Sequence, residues 1–219
     1  MESLSQITPF IPLVFMGIAA LTGIRSFFIN APPAVRMLAF LQIVLFGVEL
    51  IGHITFLFFS LPNHWLYNLW FFFWFMYLAS IYFQVLEREF VHVSIQVFYV
   101  AFIVFVIINS LFIQGVFKLQ TLTYVVGGIF IIYLAVAYFS TLFISSENEK
   151  ITRDPFFWLS FALIIYFGST VPFYGMFNYL QENFFEFTEF YVVYISRAFS
   201  IFLNILVIIA FLCRRSYPK

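Results

Sequence analysis

Long apolar runs separated by short polar connections set the pattern of this chain. Seven of these runs are long enough to cross a bilayer as helices, which takes about 20 residues each. They extend from about Thr8 to Phe28, Met37 to Leu61, Trp65 to Leu86, Val93 to Gly115, Leu122 to Ile144, Phe156 to Leu180 and Phe190 to Leu212. The breaks between them carry turn chemistry. Asn30-Ala31-Pro32-Pro33 follows the first run and Leu61-Pro62-Asn63 the second. Asp154-Pro155 opens the sixth with an N-cap aspartate and a proline at the first helical position. The runs do not alternate apolar with polar, so strands of a transmembrane barrel do not fit. The pattern predicts an all-α, polytopic membrane protein: one seven-helix bundle over residues 1–219, with no soluble domain.

Composition agrees with that solvent. Hydrophobic residues make up 64% of the chain and charged ones 9%, with 36 Phe and 13 Tyr. In water such a surface would be covered by aromatic patches, whereas a lipid bilayer solvates it. No basic run is long enough to suggest nucleic acid. The single Cys213 excludes an internal disulfide and a cysteine-based zinc site. Beside Arg214 and Arg215 it sits at a membrane boundary, where an inert small residue is the preferred reading over palmitoylation. The opening MESLSQITPF lacks Lys and Arg, so a retained first helix is expected, not a cleaved signal peptide.

Charge placement predicts orientation. Arg25, Arg36, Arg88, Lys150, Arg153, Arg214, Arg215 and Lys219 fall on one side of the seven spans, and Lys118 alone on the other. With Arg197 inside a span, this accounts for all ten Lys and Arg. The positive-inside rule then puts the N-terminus outside and the C-terminus in the cytoplasm. The connection from Gln181 to Glu189, with three Glu and no base, falls on the predicted outer side. Helices one and five would both run inward, which permits a three-plus-one-plus-three parallel repeat. Phe46-Gly47 and Phe167-Gly168 are a two-residue echo of it.

The candidate chemistry is confined to a few buried polar groups. Gln42, Glu49 and His53 share one stripe of helix two, at spacings of seven and four. Tyr194, Arg197 and Asn204 fall near one face of helix seven. Counting about 1.5 Å per residue, Arg197 reaches the depth of Glu49 and His53. A charge at bilayer depth costs about 2.5–3.5 kcal/mol on insertion scales, so it is paired or functional. The simplest account is a Glu49–Arg197 ion pair with His53 as hydrogen-bond neighbour. Three readings stay open: a pair that locks helix register, a pocket that contains it, or a lipid-facing or unpaired placement. Asn63, His64, Tyr67, Asn68, Trp65 and Trp70 crowd the outer end of helix three, with Asn109, Gln114, Tyr174 and Asn178 at similar depth. They would line an outward-facing cavity or form an interfacial aromatic belt. Pro172 should kink helix six or free a carbonyl that needs an internal partner.

Metal and cofactor chemistry fit poorly. His64 and His92 lie a membrane thickness apart, leaving Glu49 and His53 as two ligands where a catalytic zinc takes three. Helix seven offers Arg197 where a retinal Schiff base needs lysine. Glu87-Arg88-Glu89 at the inner end of helix three is similar to a receptor motif, but helix seven lacks the accompanying Asn-Pro. No cofactor is expected.

Several segments resemble small seven-helix inner-membrane proteins of Bacteroidota, related to presumed sensor regions that can precede histidine kinases. They are Asn63 with Leu66-Tyr67-Asn68, Asp154-Pro155-Phe156-Phe157-Trp158, Ile164 to Gly168, and Asn204 to Arg215. The resemblance implies a multi-pass protein of the bacterial inner membrane. This chain departs from it at Trp74, where such proteins often carry an acid, and at Ser196 and Ser200, where they carry His and Asn. The expected function is a sensor or small-ligand-binding module, with Glu49, His53, Tyr67, Asn68 and Arg197 around an outward-facing pocket. The short inner loops would then require a separate cytoplasmic signalling partner. A small-solute transporter or channel is the alternative. A lipid-modifying enzyme ranks third, because no nucleophile or metal set is assembled.

Overall fold

The computed structural model describes residues 10–29, 31–59, 63–145 and 151–213. All secondary structure described is helical. We label the helices α1 (Phe10–Phe28), α2 (Pro33–Phe59), α3 (His64–Val85), α4 (Glu89–Ile108), α5 (Thr121–Ser145), α6 (Pro155–Gly175), α7 (Phe177–Asn183), α8 (Phe185–Phe190) and α9 (Arg197–Leu212). A π-helical turn, Asn109–Ile113, extends α4, and another, Tyr191–Ser196, joins α8 to α9. The second junction makes α8 and α9 one continuous span, Phe185–Leu212. Seven helices are then long and apolar enough to cross a membrane, and the chain is an integral multi-pass membrane protein.

Local rules explain several boundaries. The Asp154 carboxylate accepts the Phe156 N–H at 2.8 Å, and Pro155 occupies the first helical position of α6. Pro33 opens α2 in the same way. Leu61 and Pro62 of the expected second turn, and Asn30 of the first, lie outside the described residues. Elsewhere the helices outrun the apolar pattern. α4 begins at Glu89, four residues before the hydrophobic run, because an acid is favourable at a helix N-terminus. The seventh span begins at Phe185, so the acidic connection expected from Gln181 to Glu189 is almost wholly helical, with Phe184 alone between α7 and α8. Charged residues at helix ends had the look of loop.

Six spans form a ring. α1 packs on α2, α2 on α3, α3 on α5, α5 on α6, α6 on α9, and α9 closes back on α1. α4 stands outside, against α3 and α5. Its outward residues Val97, Val100 and Val104 are exposed, as hydrocarbon contact requires. Short connections make successive helices antiparallel, so the start of α3, the start of α5 and the end of α6 share one end of the bundle, here named the Asn63 end. Arg25, Arg36, Arg88 and Arg153 gather at the other.

One half of the ring is solid. Phe75, Tyr124 and Phe167, from α3, α5 and α6, are each at most 2% exposed, and their ring centres stand 5.6–5.8 Å apart. Gly127 and Gly128 let α5 come this close: a Cβ on the first would strike the Phe75 ring, and one on the second would meet Val171 at 2.6 Å. Tyr124 shares a 2.7 Å hydrogen bond with Thr170, and Tyr82 one of 2.8 Å with Ser160, so the polar tips of this core are satisfied. Pro172 lies inside α6 and removes the N–H that would reach Gly168. The Tyr191 hydroxyl donates to the next carbonyl, Ser169, at 2.8 Å.

At the Arg153 end, Cys213 is half-buried with Sγ 3.5 Å from the Thr152 carbonyl. Burial pushes its thiol up.

Gly127→Ala is expected to destabilise the protein by about 1–3 kcal/mol through overpacking against Phe75. Gly47→Ala, where an added Cβ meets nothing within 4 Å, should leave thermal unfolding in detergent unchanged or slightly raised. Equal melting temperatures for the two variants would contradict the packing described.

Candidate functional site

The other half of the ring is hollow. A cavity of about 380 Å³ opens between α1, α2, α3, α6 and the seventh span, nearer the Asn63 end. That volume falls within the range of small-molecule sites, about 300–1,000 Å³. Four of the five residues singled out above line it: Glu49 and His53 from α2, Tyr67 from α3, and Arg197 at the head of α9. Periodicity brings them together. Leu45, Glu49 and His53 repeat every four residues on α2, and Asn63, Tyr67, Trp70 and Trp74 follow the three-and-four rhythm of α3.

The floor is a hydrogen bond. Gln42 donates from Nε2 to Asn204 Oδ1 at 2.6 Å, tying α2 to α9, and both residues are buried. Asn204 donates in turn to the Ser200 carbonyl at 2.7 Å. Antiparallel register then fixes the level above. Glu49 lies seven residues beyond Gln42 on one helix, and Arg197 seven before Asn204 on the other. Both stand about 10 Å closer to the Asn63 end, facing the same space.

They do not meet. Among the described residues no ion pair joins Glu49 to Arg197, and the expected pair is corrected accordingly. The tie between the two helices is made two turns deeper, by neutral amides. The Glu49 carboxylate instead accepts the Tyr67 hydroxyl on Oε2 at 3.2 Å. Gly52 makes room for that contact: a Cβ there would stand 2.7 Å from the Tyr67 oxygen. Asn63 donates to the Gly52 carbonyl at 3.3 Å, drawing the start of α3 onto α2. His53 turns back on its own helix, its Nδ1 2.9 Å from the Glu49 backbone oxygen, and its ring is 5.9 Å from that of Phe10. It is a neighbour of Glu49 in the wall, bonded to the backbone.

Asn68 belongs elsewhere. It is buried and faces the connection between α4 and α5, not the cavity. Its Nδ2 donates to the Val116 and Lys118 carbonyls at 2.9 and 2.8 Å, and its Oδ1 accepts the Gln120 N–H at 2.9 Å. Asn109 and Gln114 join the same structure. Asn109 donates to Thr123 at 3.0 Å, and Gln114 donates to Thr121 at 2.9 Å while accepting the Leu122 N–H at 3.0 Å. These three amides hold a loop. Gly115, with φ +80°, supplies its left-handed turn.

Register also moves on the seventh span. Tyr194 does not line the cavity and is 53% exposed. The π turn at Tyr191–Ser196 inserts extra backbone and rotates what precedes Arg197. Ser196, Ser200 and Asn204 line the wall at a spacing of four, a stripe visible in the sequence once the phase is known. Tyr166, Tyr174 and Trp74 complete its aromatic side. Among the described residues no three of His, Cys, Asp and Glu come together as a metal site.

Tyr67→Phe is expected to lower stability by about 1 kcal/mol and to shift the infrared carboxyl band that Glu49→Gln removes. Gly52→Ala should shift that band in the same direction, since it displaces the same hydroxyl. A band indifferent to both variants would refute the contact. Asn68→Ala strips three hydrogen bonds from the loop and should cost about 2–4 kcal/mol in thermal unfolding. An unchanged melting temperature would contradict its loop role.

Comparison of the chain with protein-family models, with curated proteins and with solved structures returns no match. What the structure establishes is a seven-helix membrane protein with a cavity lined by aromatic and polar side chains toward the Asn63 end.

Proposed function

We propose that this protein is a ligand-binding membrane module, a sensor of a small molecule held by Glu49, His53, Tyr67 and Arg197. The observation that carries the reading is the cavity itself. Glu49, His53, Tyr67 and Arg197 line one hollow of about 380 Å³, inside the range of small-molecule sites. Ionisable side chains at bilayer depth are costly, and four polar groups gathered on one hollow fit a binding site.

Binding is favoured over conduction by the floor. The Gln42–Asn204 bond and the buried Leu38, Leu203 and Val207 near it close the ring toward the Arg153 end. Transport would require that bond to break in each cycle, and a channel would require it to be absent. An acyl-transfer or hydrolytic role has no support from the wall, which brings no nucleophile to a general base.

The Asn63 end faces the outside in this proposal, because in the sequence eight basic residues fall in or beside the connections on the other side of the spans and one on this side. The pocket would then sample the outer medium or the outer leaflet, with a separate cytoplasmic protein reading any helix shift. The resemblance to small inner-membrane proteins of Bacteroidota supports the same assignment. Its three points of departure, Trp74, Ser196 and Ser200, all line the cavity, which is where altered ligand preference would be written.

Thermal-shift screening of the purified chain in detergent should find ligands that raise its melting temperature. Glu49→Gln and Arg197→Gln should each remove most of that rise, about 1.5–3 kcal/mol of binding for a charge-assisted bond. Ligands that stabilise the variants as well as the wild type would count against this pocket.

A further inference from the structure

We propose that the ligand is a primary amine on an aromatic body, an arylalkylamine, its ammonium held by Glu49 and His53 and its ring by the aromatic wall of the cavity. This rests on the cavity being a ligand site and names the ligand's class. On the α2 wall the donors are already engaged. The Tyr67 hydroxyl donates to Glu49 Oε2 at 3.2 Å. His53 Nδ1 lies 2.9 Å from the Glu49 backbone oxygen. A carbonyl only accepts, so Nδ1 carries the proton, and in the neutral ring Nε2 is left with a lone pair. Asn63 gives an N–H to the Gly52 carbonyl, which leaves its amide oxygen as an acceptor.

What remains on this wall is a set of open acceptors. Among the described residues no donor reaches Glu49 Oε1, His53 Nε2 or Asn63 Oδ1, and the one sealed side-chain polar atom without a partner is Asn109 Oδ1, in the α4–α5 region. The three acceptors are therefore open to the hollow that their side chains line. Glu49 and His53, four residues apart on one helix, stand about 5–6 Å apart at Cβ, a gap that one ammonium bridges with bonds of about 2.8 Å. A primary ammonium has three donors and no acceptor, the complement of such a wall. A quaternary ammonium has no N–H to give, and a hydroxyl supplies one donor and no charge.

The body is selected by rings. Trp70, Phe71, Trp74, Tyr166 and Tyr174 line the same cavity. Trp70 and Trp74 are stacked with ring centres 6.3 Å apart, and Tyr166 meets Trp74 edge-on at 6.2 Å. Such a wall takes a planar ring by stacking and edge contact, and its π faces favour a nearby cation. A bare metal ion fits less well, because among the described residues no three of His, Cys, Asp and Glu gather. Arg197 lines the same cavity and has an interaction of its own. The cation is placed without it, against α2.

The test is isothermal titration calorimetry of the full chain in detergent with phenethylamine, phenethyl alcohol and phenethyltrimethylammonium. Phenylacetate and ethylamine are the anionic and ring-less controls. Phenethylamine should bind roughly tenfold or more tighter than each of the other four, the strength of a charge-assisted hydrogen bond. Glu49→Gln should erase the preference for amine over alcohol, and His53→Phe should reduce it. In the wild type, phenethylamine should shift the infrared carboxyl band and the alcohol should not, a readout that needs no folded variant. Equal affinity for the amine and the alcohol, or for the amine and its trimethyl form, would overturn the proposal. Phenylacetate as the tightest probe would do the same. Screened ligands that bind this cavity but carry no ammonium would overturn the amine while leaving the pocket. Silence of all five probes would overturn the amine, and with an empty ligand screen the pocket as well.

Discussion

A neutral hydrogen bond two turns below the charges organises the site. Gln42 and Asn204 meet at 2.6 Å in the middle of the bundle, and everything above them follows from that register. In hydrocarbon an unsatisfied amide is costly, so two amides on facing helices find each other and hold. Once they do, α2 and α9 have no freedom to slide, and residues seven steps away on each helix share a level. Glu49 and Arg197 thereby face one another. The neutral tie holds the register, and both side chains line the cavity above it.

The solid half of the ring makes the hollow half possible. α3, α5 and α6 close on one another through Phe75, Tyr124 and Phe167, with two glycines admitting the rings. Packed interiors resist deformation, so these helices act as a rigid back wall. α1 and α9 stand across from that wall and enclose space, because the residues they turn inward are small or slender: Ser196, Ser200 and Met16 among them. Trp74 belongs to both halves, touching Phe75 and Phe167 with one face and the cavity with the other. The tight aromatic core and the polar cavity are consequences of one distribution of side-chain size around the ring.

Much of this was legible in the chain. Span number followed from apolar length alone, since a bilayer sets the length of every helix that crosses it. The level of Glu49, His53 and Arg197 followed from counting residues at a fixed rise. Three things did not follow. Whether facing charges touch depends on the width of the space between helices, which Gln42 and Asn204 control and periodicity does not encode. The π turn before Arg197 rotated Tyr194 away from the cavity, because the count of backbone per turn changed where no sequence rule marks a change. Asn68 lies at the same end of helix three as Tyr67, yet a buried amide goes to whichever backbone groups lack partners. Those were in the α4–α5 connection, which pattern reading does not place in space.

Why the chain keeps its acid and base apart can be argued from the neighbours each has been given. A free-standing carboxylate next to a guanidinium in a low-dielectric hollow would draw it in, because attraction grows as water is removed. Here the carboxylate is held from the other side. Tyr67 donates to it from α3, Gly52 is bare so that the hydroxyl can arrive, and Asn63 fixes the start of α3 by bonding the Gly52 carbonyl. Three residues from two helices thus anchor Glu49 against its own wall. The contacts that hold Glu49 against its own wall therefore shape the side of the cavity that it lines.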